Sequence, residues 1–332
     1  MKLLALALVT LPLAALPFRS SLQAPAVAAT ATSPAATTTD DGLLAILVTG
    51  ASSGIGRRTA EHLAANGFFV YAGARKVKDL AALDKLENVQ GIRLDVNVQA
   101  DIDAAVETVR KAGRGLHGLI NNAGVFVMAP LTEVTEDDLR FQMNVNVYGP
   151  YRVTKAFSDL LIESGGRVST TGSISGIVTW GLGGPYTMSK HAVEAYTDVL
   201  AAELEPLGVL VSIVEPGNFR SRIFQSTVER MTAQGYTAKG SRFEPQLDGF
   251  LSRDQSRSNQ ADPLPVAEAF LDAMTSKAPK RRYMVTPNQR EADMTLNAAL
   301  KRVAELNQSH QFSVDRKELH KRLDEALNAL DQ

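Results

Sequence analysis

The chain has no cysteine among its 332 residues. Disulfides, thiolate metal sites, iron–sulfur clusters and cysteine nucleophiles are therefore all excluded. It has no excess of charge either, since 35 Lys and Arg against 36 Asp and Glu leave a formal net charge of −1. A nucleic-acid binder usually carries a basic surplus to neutralise phosphates, so the balance argues against that class. The densest basic cluster, Lys277 with Lys280, Arg281 and Arg282, reads as a solvated edge. The five histidines (His62, His117, His191, His310 and His320) make no pair at metal-binding spacing. No segment recurs at a fixed period, which sets aside solenoids and propellers. Gly172 to Gly176 carries its serines on either side of Ile174, so it is not the Gly-x-Ser-x-Gly elbow of a hydrolase.

Long apolar runs are equally scarce. The one such run, Leu3 to Leu16, follows Lys2, is interrupted by Pro12 and precedes the small-x-small triplet Ala26-Val27-Ala28. That pattern reads as a secretory signal, too short for a comfortable membrane span of about 20 residues. An uncleaved signal anchor and a start codon placed too early are the alternatives. An exported or membrane-anchored protein is expected on the first two readings and a cytoplasmic one on the third. No twin-arginine motif precedes the run, so export of a folded chain is not supported. Ala24 to Thr39 is almost wholly Ala, Thr, Ser and Pro, a composition that buries too little apolar surface to order itself. Residues 1–41 are therefore set apart from the fold.

From Leu43 onward, short apolar runs alternate with helical patterns. The runs are Leu43–Val48, Phe68–Ala72, Gly91–Leu94, Gly118–Ile120, Arg167–Thr170, Leu210–Val214 and Arg282–Val285. Helices are expected between them, as at Arg57–Asn66 before Gly67 and at Thr135–Ser164, entered through Thr135-x-x-Asp138. Strands separated by helices imply βαβ crossovers. The expected fold is α/β, a doubly wound, Rossmann-type three-layer domain over 42–290 with a mostly parallel seven-stranded sheet. A helical extension over 291–332 completes the chain.

The first run leads straight into Thr49-Gly50-Ala51-Ser52-Ser53-Gly54-Ile55-Gly56 and then a helix. Gly50 permits the turn, Gly54 lets the backbone approach a pyrophosphate, and Gly56 lets helix and strand pack closely. The helix N-terminus then offers free N–H groups to phosphates. At the end of the second run an acidic residue would bind a ribose 2′-hydroxyl; here the chain reads Ala72-Gly73-Ala74-Arg75. Arg75 suits a 2′-phosphate, so NADP is expected and NAD less so.

Further motifs follow in order: Asn121-Asn122-Ala123-Gly124, Asn146-Val147-Tyr148-Gly149, Ser173, Tyr186-Thr187-Met188-Ser189-Lys190 and Pro216-Gly217. Together with the glycine loop, over about residues 43–290, they resemble the short-chain dehydrogenase/reductase family. The resemblance implies a catalytic tetrad of Asn146, Ser173, Tyr186 and Lys190. It also implies adenine contacts at Asp95 and Val96, support of the sheet and adenosine side by Asn122, Ala123 and Gly124, and a nicotinamide flank from Pro216 and Gly217 to Phe219. With Gly50, Ser52, Ser53, Gly54, Ile55, Gly56, Arg75, Tyr186 and Lys190 these make the expected cofactor set. Ser173 is preferred by its family spacing of thirteen residues before Tyr186, with Ser175 as the fallback. Asn144 is the rival of Asn146, but on an α-helix it points about 200° away.

Tyrosine ionises near 10, so acid–base work near neutrality needs a neighbouring positive charge. Lys190, four residues on, shares its helical face. Tyr186 would then exchange a proton with a carbonyl or alcohol oxygen, and Ser173 would give that oxygen a second hydrogen bond. Asn146 would position Lys190 through a water. The implied activity is NADP-dependent interconversion of a ketone or aldehyde with an alcohol. The alternative, a non-catalytic NADP-binding sensor or scaffold, would call for a broken tetrad.

Between Asn218 and Asp262 the apolar residues, Phe219, Ile223 and Phe224 among them, read equally as a substrate lid and as helix packing. With Trp180 and Leu182 as further walls, a hydrophobic small-molecule substrate is expected. Helical patterns follow Pro287, with an apolar stripe of Leu319, Leu323, Leu327 and Leu330 that must bury against its own domain or a partner. The family resemblance implies a homodimer or homotetramer through the helices bearing Asn146 and Tyr186.

Overall fold

The computed structural model describes residues 42–255 and 257–330; the signal-like segment and its localisation reading lie outside them. Strands β1 (Leu44–Val48), β2 (Phe68–Ala74), β3 (Val89–Arg93), β4 (Gly118–Asn121), β5 (Arg167–Thr171), β6 (Leu210–Pro216) and β7 (Arg282–Val285) form one sheet. Their order is β3-β2-β1-β4-β5-β6-β7. Every pairing is parallel, so the sheet is more uniform than the mostly parallel one expected. The helices are α1 (Gly54–Ala65), α2 (Val77–Leu83), α3 (Gln99–Ala112), α4 (Glu136–Met143), α5 (Gly149–Glu163), α6 (Gly184–Leu204), α7 (Ile223–Ala233), α8 (Glu244–Leu251), α9 (Leu264–Thr275), α10 (Gln289–Gln308) and α11 (Arg316–Leu330).

Alternation along the central strand explains the layering. Ala45 and Leu47 of β1 point to one face, where they join Ile102 and Val109 of α3, Val153 and Phe157 of α5 and Leu204 of α6. Ile46 and Val48 point to the other, where they meet Leu63 of α1 and Val266 and Phe270 of α9. One strand thus feeds two cores, and the sheet is buried on both faces. At its N-terminal edge the chain turns through Gly67, Gly113 and Gly208, all with positive φ.

Several element boundaries differ from the sequence reading. β2 continues two residues beyond Ala72, because Gly73 is an ordinary strand residue there: a Cβ would stand 3.2 Å from Val48 O and 3.1 Å from Leu94. β6 likewise continues past Val214 through buried Glu215 to Pro216. The single helix expected over 135–164 is α4 and α5 joined by a π-turn, Asn144–Tyr148. Its start is as read, with the Thr135 hydroxyl accepting from Asp138 N at 3.1 Å.

The basic cluster is not simply a solvated edge. Arg281 pairs with Glu205 at 2.5 Å, and Arg282 reaches Asp198 at 2.6 Å and Glu194 at 3.4 Å. Position 290 falls inside α10, whose first turn carries Glu291 back to the loop after β6. The α11 stripe leaves Leu323, Leu327 and Leu330 exposed, so the domain does not bury it.

Candidate active site

Because all strands run the same way, the loops leaving their C-terminal ends gather at one edge of the sheet. There they enclose a cleft of about 890 Å³. Ligands of open α/β sheets bind at such an edge, where the strand order reverses. Each residue of the expected cofactor set lines this cleft, as do Ser173, Tyr186 and Lys190. Asn146 is buried just behind its wall.

The floor is the glycine loop. Gly50 and Gly54 have φ of 66° and 57°, a region that disfavours side chains. A Cβ on Gly56 would stand 2.5 Å from Gly50 O and collide with the Asn122 amide. The Thr49 hydroxyl accepts from Asn122 N at 2.9 Å and Ala123 N at 3.0 Å, while the Asn122 amide donates to Thr49 O at 3.0 Å. The loops after β1 and β4 are thereby locked together. Ser53 gives α1 no side-chain cap and its first turn has no acidic residue, so the helix presents bare N–H groups and its positive end to the cleft. This cradle fits a dinucleotide pyrophosphate. Farther along, Arg75 ion-pairs with Asp95 at 3.7 Å, and Lys76, which sequence reasoning passed over, stands beside it.

At the other end, Ser173 follows β5 and Tyr186 and Lys190 lie in the first turns of α6. Ser173 and Tyr186 line the cleft together, and the Ser173 hydroxyl accepts from Ser175 N at 3.1 Å. Burial pushes the Tyr186 phenol up, and the Ser173 hydroxyl and the Arg257 charge oppose that rise. The Lys190 ammonium donates to Thr171 O at 2.7 Å and sits 5.6 Å from the centre of the Tyr186 ring. Burial lowers it to about 8, against the attraction of Glu194. Ser175, the fallback, instead accepts from the Trp180 indole at 3.4 Å.

Asn146 sits in the π-turn, where the α-helical geometry used to set it apart from Asn144 does not apply. The contacts separate them all the same. The Asn146 amide accepts from Val125 N at 2.9 Å, and donates to Val125 O at 3.1 Å and to the Ser189 hydroxyl at 3.0 Å. Ser189 in turn donates to Tyr186 O at 2.7 Å. Asn144 instead meets Arg152 at 3.3 Å. Asn146 therefore ties the loop after β4 to the helix that carries Tyr186 and Lys190. Gln142 reinforces the tie by accepting from Val127 N at 2.7 Å and donating to Val125 O at 2.8 Å. It precedes Asn146 by four residues, a spacing that could have flagged it.

The substrate end is aromatic. Phe126 stacks on Trp180 at 5.6 Å and meets Tyr186 and Phe224 edge-on at 5.2 and 5.0 Å. Both readings of the 218–262 segment hold in part: Phe219, Ile223 and Phe224 line the cleft, while Met231, Leu247 and Phe250 are buried as packing. Leu182 has φ of 65° and offers its carbonyl to Ala129 N rather than a wall. Sequence reasoning missed Arg257 and Glu291, which also line the cleft and lie outside every motif.

Residues 44–232 match the model of the short chain dehydrogenase family. The chain belongs to the short-chain dehydrogenase/reductase family. Bos taurus mitochondrial D-beta-hydroxybutyrate dehydrogenase is 33% identical over 271 residues, covering 73% of this chain and 76% of that protein. The NADPH-dependent 3-dehydrocapnine reductase of Ornithobacterium rhinotracheale is 34% identical over 252 residues, covering 73% and 88%. Among solved structures, a short-chain dehydrogenase/reductase from Burkholderia phymatum in complex with NAD superposes with a TM-score of 0.69 at 26% identity, covering 82% of this chain and 97% of that one. This short-chain dehydrogenase/reductase is accordingly an oxidoreductase of small-molecule alcohols or carbonyl compounds, in a family whose cofactor is NAD or NADP.

Proposed function

We propose that this enzyme is an NADP-dependent reductase or dehydrogenase of a hydrophobic ketone or alcohol, with Tyr186 as acid–base group. The observation that carries the reading is the convergence of Ser173, Tyr186 and buried Lys190 at the wall of one cleft, with the Lys190 ammonium 5.6 Å from the centre of the Tyr186 ring. Gly50, Ser52, Ser53, Gly54, Ile55 and Gly56 would hold the pyrophosphate, and Arg75 with Lys76 would receive a 2′-phosphate. Asp95 and Val96 would take the adenine, Asn122, Ala123 and Gly124 the adenosine side, and Pro216, Gly217 and Phe219 the nicotinamide. When bound, the dinucleotide supplies the two-electron redox chemistry.

Tyr186 donates its proton to the carbonyl oxygen in reduction and takes it back in oxidation. Ser173 holds the same oxygen with a second hydrogen bond, which strengthens as charge develops there. The Lys190 ammonium stabilises the phenolate that remains, and the Thr171 carbonyl keeps that ammonium in place. Asn146 acts by holding Val125 and the start of α6. The aromatic walls exclude water and favour an apolar substrate body. Exposed Tyr148, Tyr151 and Val199 on the helices bearing the tetrad support a homodimer or homotetramer through those faces. None of the described helices is long and apolar enough to cross a membrane.

The test is NADPH turnover on a carbonyl panel. Tyr186→Phe is expected to remove turnover by at least roughly a hundredfold while NADPH binding persists. Arg75→Ala is expected to erase the preference for NADPH over NADH. Unaltered turnover of Tyr186→Phe would overturn the acid–base assignment, and an unaltered preference in Arg75→Ala would overturn the choice of cofactor.

A further inference from the structure

The aromatic end of the cleft contains one group that a site for neutral ketones does not need. Arg257 is 8% exposed and lies in the segment between α8 and α9. Its guanidinium lies over the Phe224 ring, 4.8 Å from the centroid. Phe224 meets Phe126, and Phe126 meets Tyr186, so the cation borders the surface that surrounds the phenol. Its backbone is left-handed, with φ of 52°, an uncommon conformation for a non-glycine residue. Fixing a long side chain and stripping water from its charge are both unfavourable, so a purely structural arginine here needs a compensating partner.

Three other arginines of the cleft have carboxylates in direct contact. Arg222 holds Glu229 at 3.1 Å, Arg230 holds Asp138 at 2.6 Å and Arg75 holds Asp95 at 3.7 Å. Arg257 donates instead to the neutral amide oxygen of Asn218. Asn218 is itself fixed, because its backbone N–H donates to the Glu291 carboxylate at 2.7 Å. Glu291 acts on Arg257 through its field, and the Arg257 charge reaches Tyr186. The arrangement is a buried, pre-oriented guanidinium fork resting on an aromatic plate, near the proton donor.

We propose that Arg257 anchors a carboxylate of the substrate, so that the enzyme acts on oxo acids or hydroxy acids with an apolar chain rather than on neutral ketones. The inference rests on the reading of this cleft as a carbonyl-reducing site. A guanidinium pairs with a carboxylate through two parallel N–H···O bonds, which fixes both the distance and the orientation of the attached chain. With the acid held at Arg257, the chain is guided across Phe224 and Phe126 and its oxo group is directed to Tyr186 and Ser173.

The experiment pairs straight-chain oxo acids with their methyl esters, which keep shape and carbonyl but lose the charge. Each pair is assayed for NADPH turnover, and separately for binding to NADPH-loaded Tyr186→Phe protein by calorimetry. The native chain should favour the acid over its ester roughly tenfold or more in kcat/KM and in affinity. Arg257→Met should collapse that ratio toward one while NADPH affinity stays constant, and Arg257→Lys should restore part of it. Acids that bind through Arg257 without turnover would sustain this proposal and overturn the reductase reading. Esters that react as well as acids would do the reverse. Loss of NADPH affinity in Arg257→Met would assign the guanidinium to the cofactor, and failure of every acid to bind would also overturn the proposal.

Discussion

Glu194 and Glu215 form a buried carboxyl pair beneath Lys190, and replacing one of them should change how stability depends on pH. Glu194 lies one turn after Lys190 on α6, and Glu215 lies in β6, 2% exposed. Burial, with the neighbouring Glu215 next in weight, pushes Glu194 from the usual 4.5 up to about 8, while Arg282 pulls the other way. A carboxyl raised in the folded state binds its proton more tightly than the unfolded chain does. Its stabilisation is thus fully present below about pH 4.5 and is lost as pH rises toward 8. At about 1.4 kcal/mol per pH unit the full shift is on the order of 4–5 kcal/mol. That corresponds to roughly 10 °C in melting temperature.

Glu194→Gln keeps the shape and supplies a permanent donor to Glu215 without a proton to lose. Melting curves of the native chain and the variant, taken at intervals from pH 5 to pH 8.5, should diverge, the native chain falling more steeply. His117, lowered by burial against the Met274 carbonyl, works with the opposite sign but is common to both proteins. Lys190 contributes above about 8. Parallel curves would refute the reasoning, since they would mean that the pair is already ionised in the fold.

Three further outcomes are expected. Gly56→Ala should weaken NADPH binding at least roughly tenfold with the fold retained, because the added Cβ meets the Gly50 carbonyl; fluorescence titration measures this. Asn146→Ala should destabilise by about 1–3 kcal/mol in urea unfolding, since Val125 N–H loses its partner behind the cleft. Phe157→Ala, at a fully buried α5 position, should cost about 3–5 kcal/mol in the same assay and leave NADPH affinity unchanged.

The sheet and the cleft lining were legible because strand runs, glycine turns and motif spacing all express local geometry. What escaped the sequence depends on neighbours distant in the chain. Gly73 and Glu215 look like strand ends in isolation, yet the packing around each carries the strand onward. The π-turn at Asn144–Tyr148 breaks the 3.6-residue count on which facing arguments rely. Arg282 belongs to a basic cluster in sequence and to buried acids in space. Arg257 sits in irregular backbone, where no periodicity indicates which side chains turn inward.

The two edges of the sheet have different tolerances for engineering. At the N-terminal edge, Gly67, Gly113 and Gly208 have open space where a side chain would project, and none of them lines the cleft. Peptide tags, fluorophores or immobilisation linkers inserted at these turns would hang on the far side of two cores from the chemistry. The same insertion after β1, β4 or β6 would displace cleft walls. The fold therefore comes with a permissive side for grafting and a side that should be left intact.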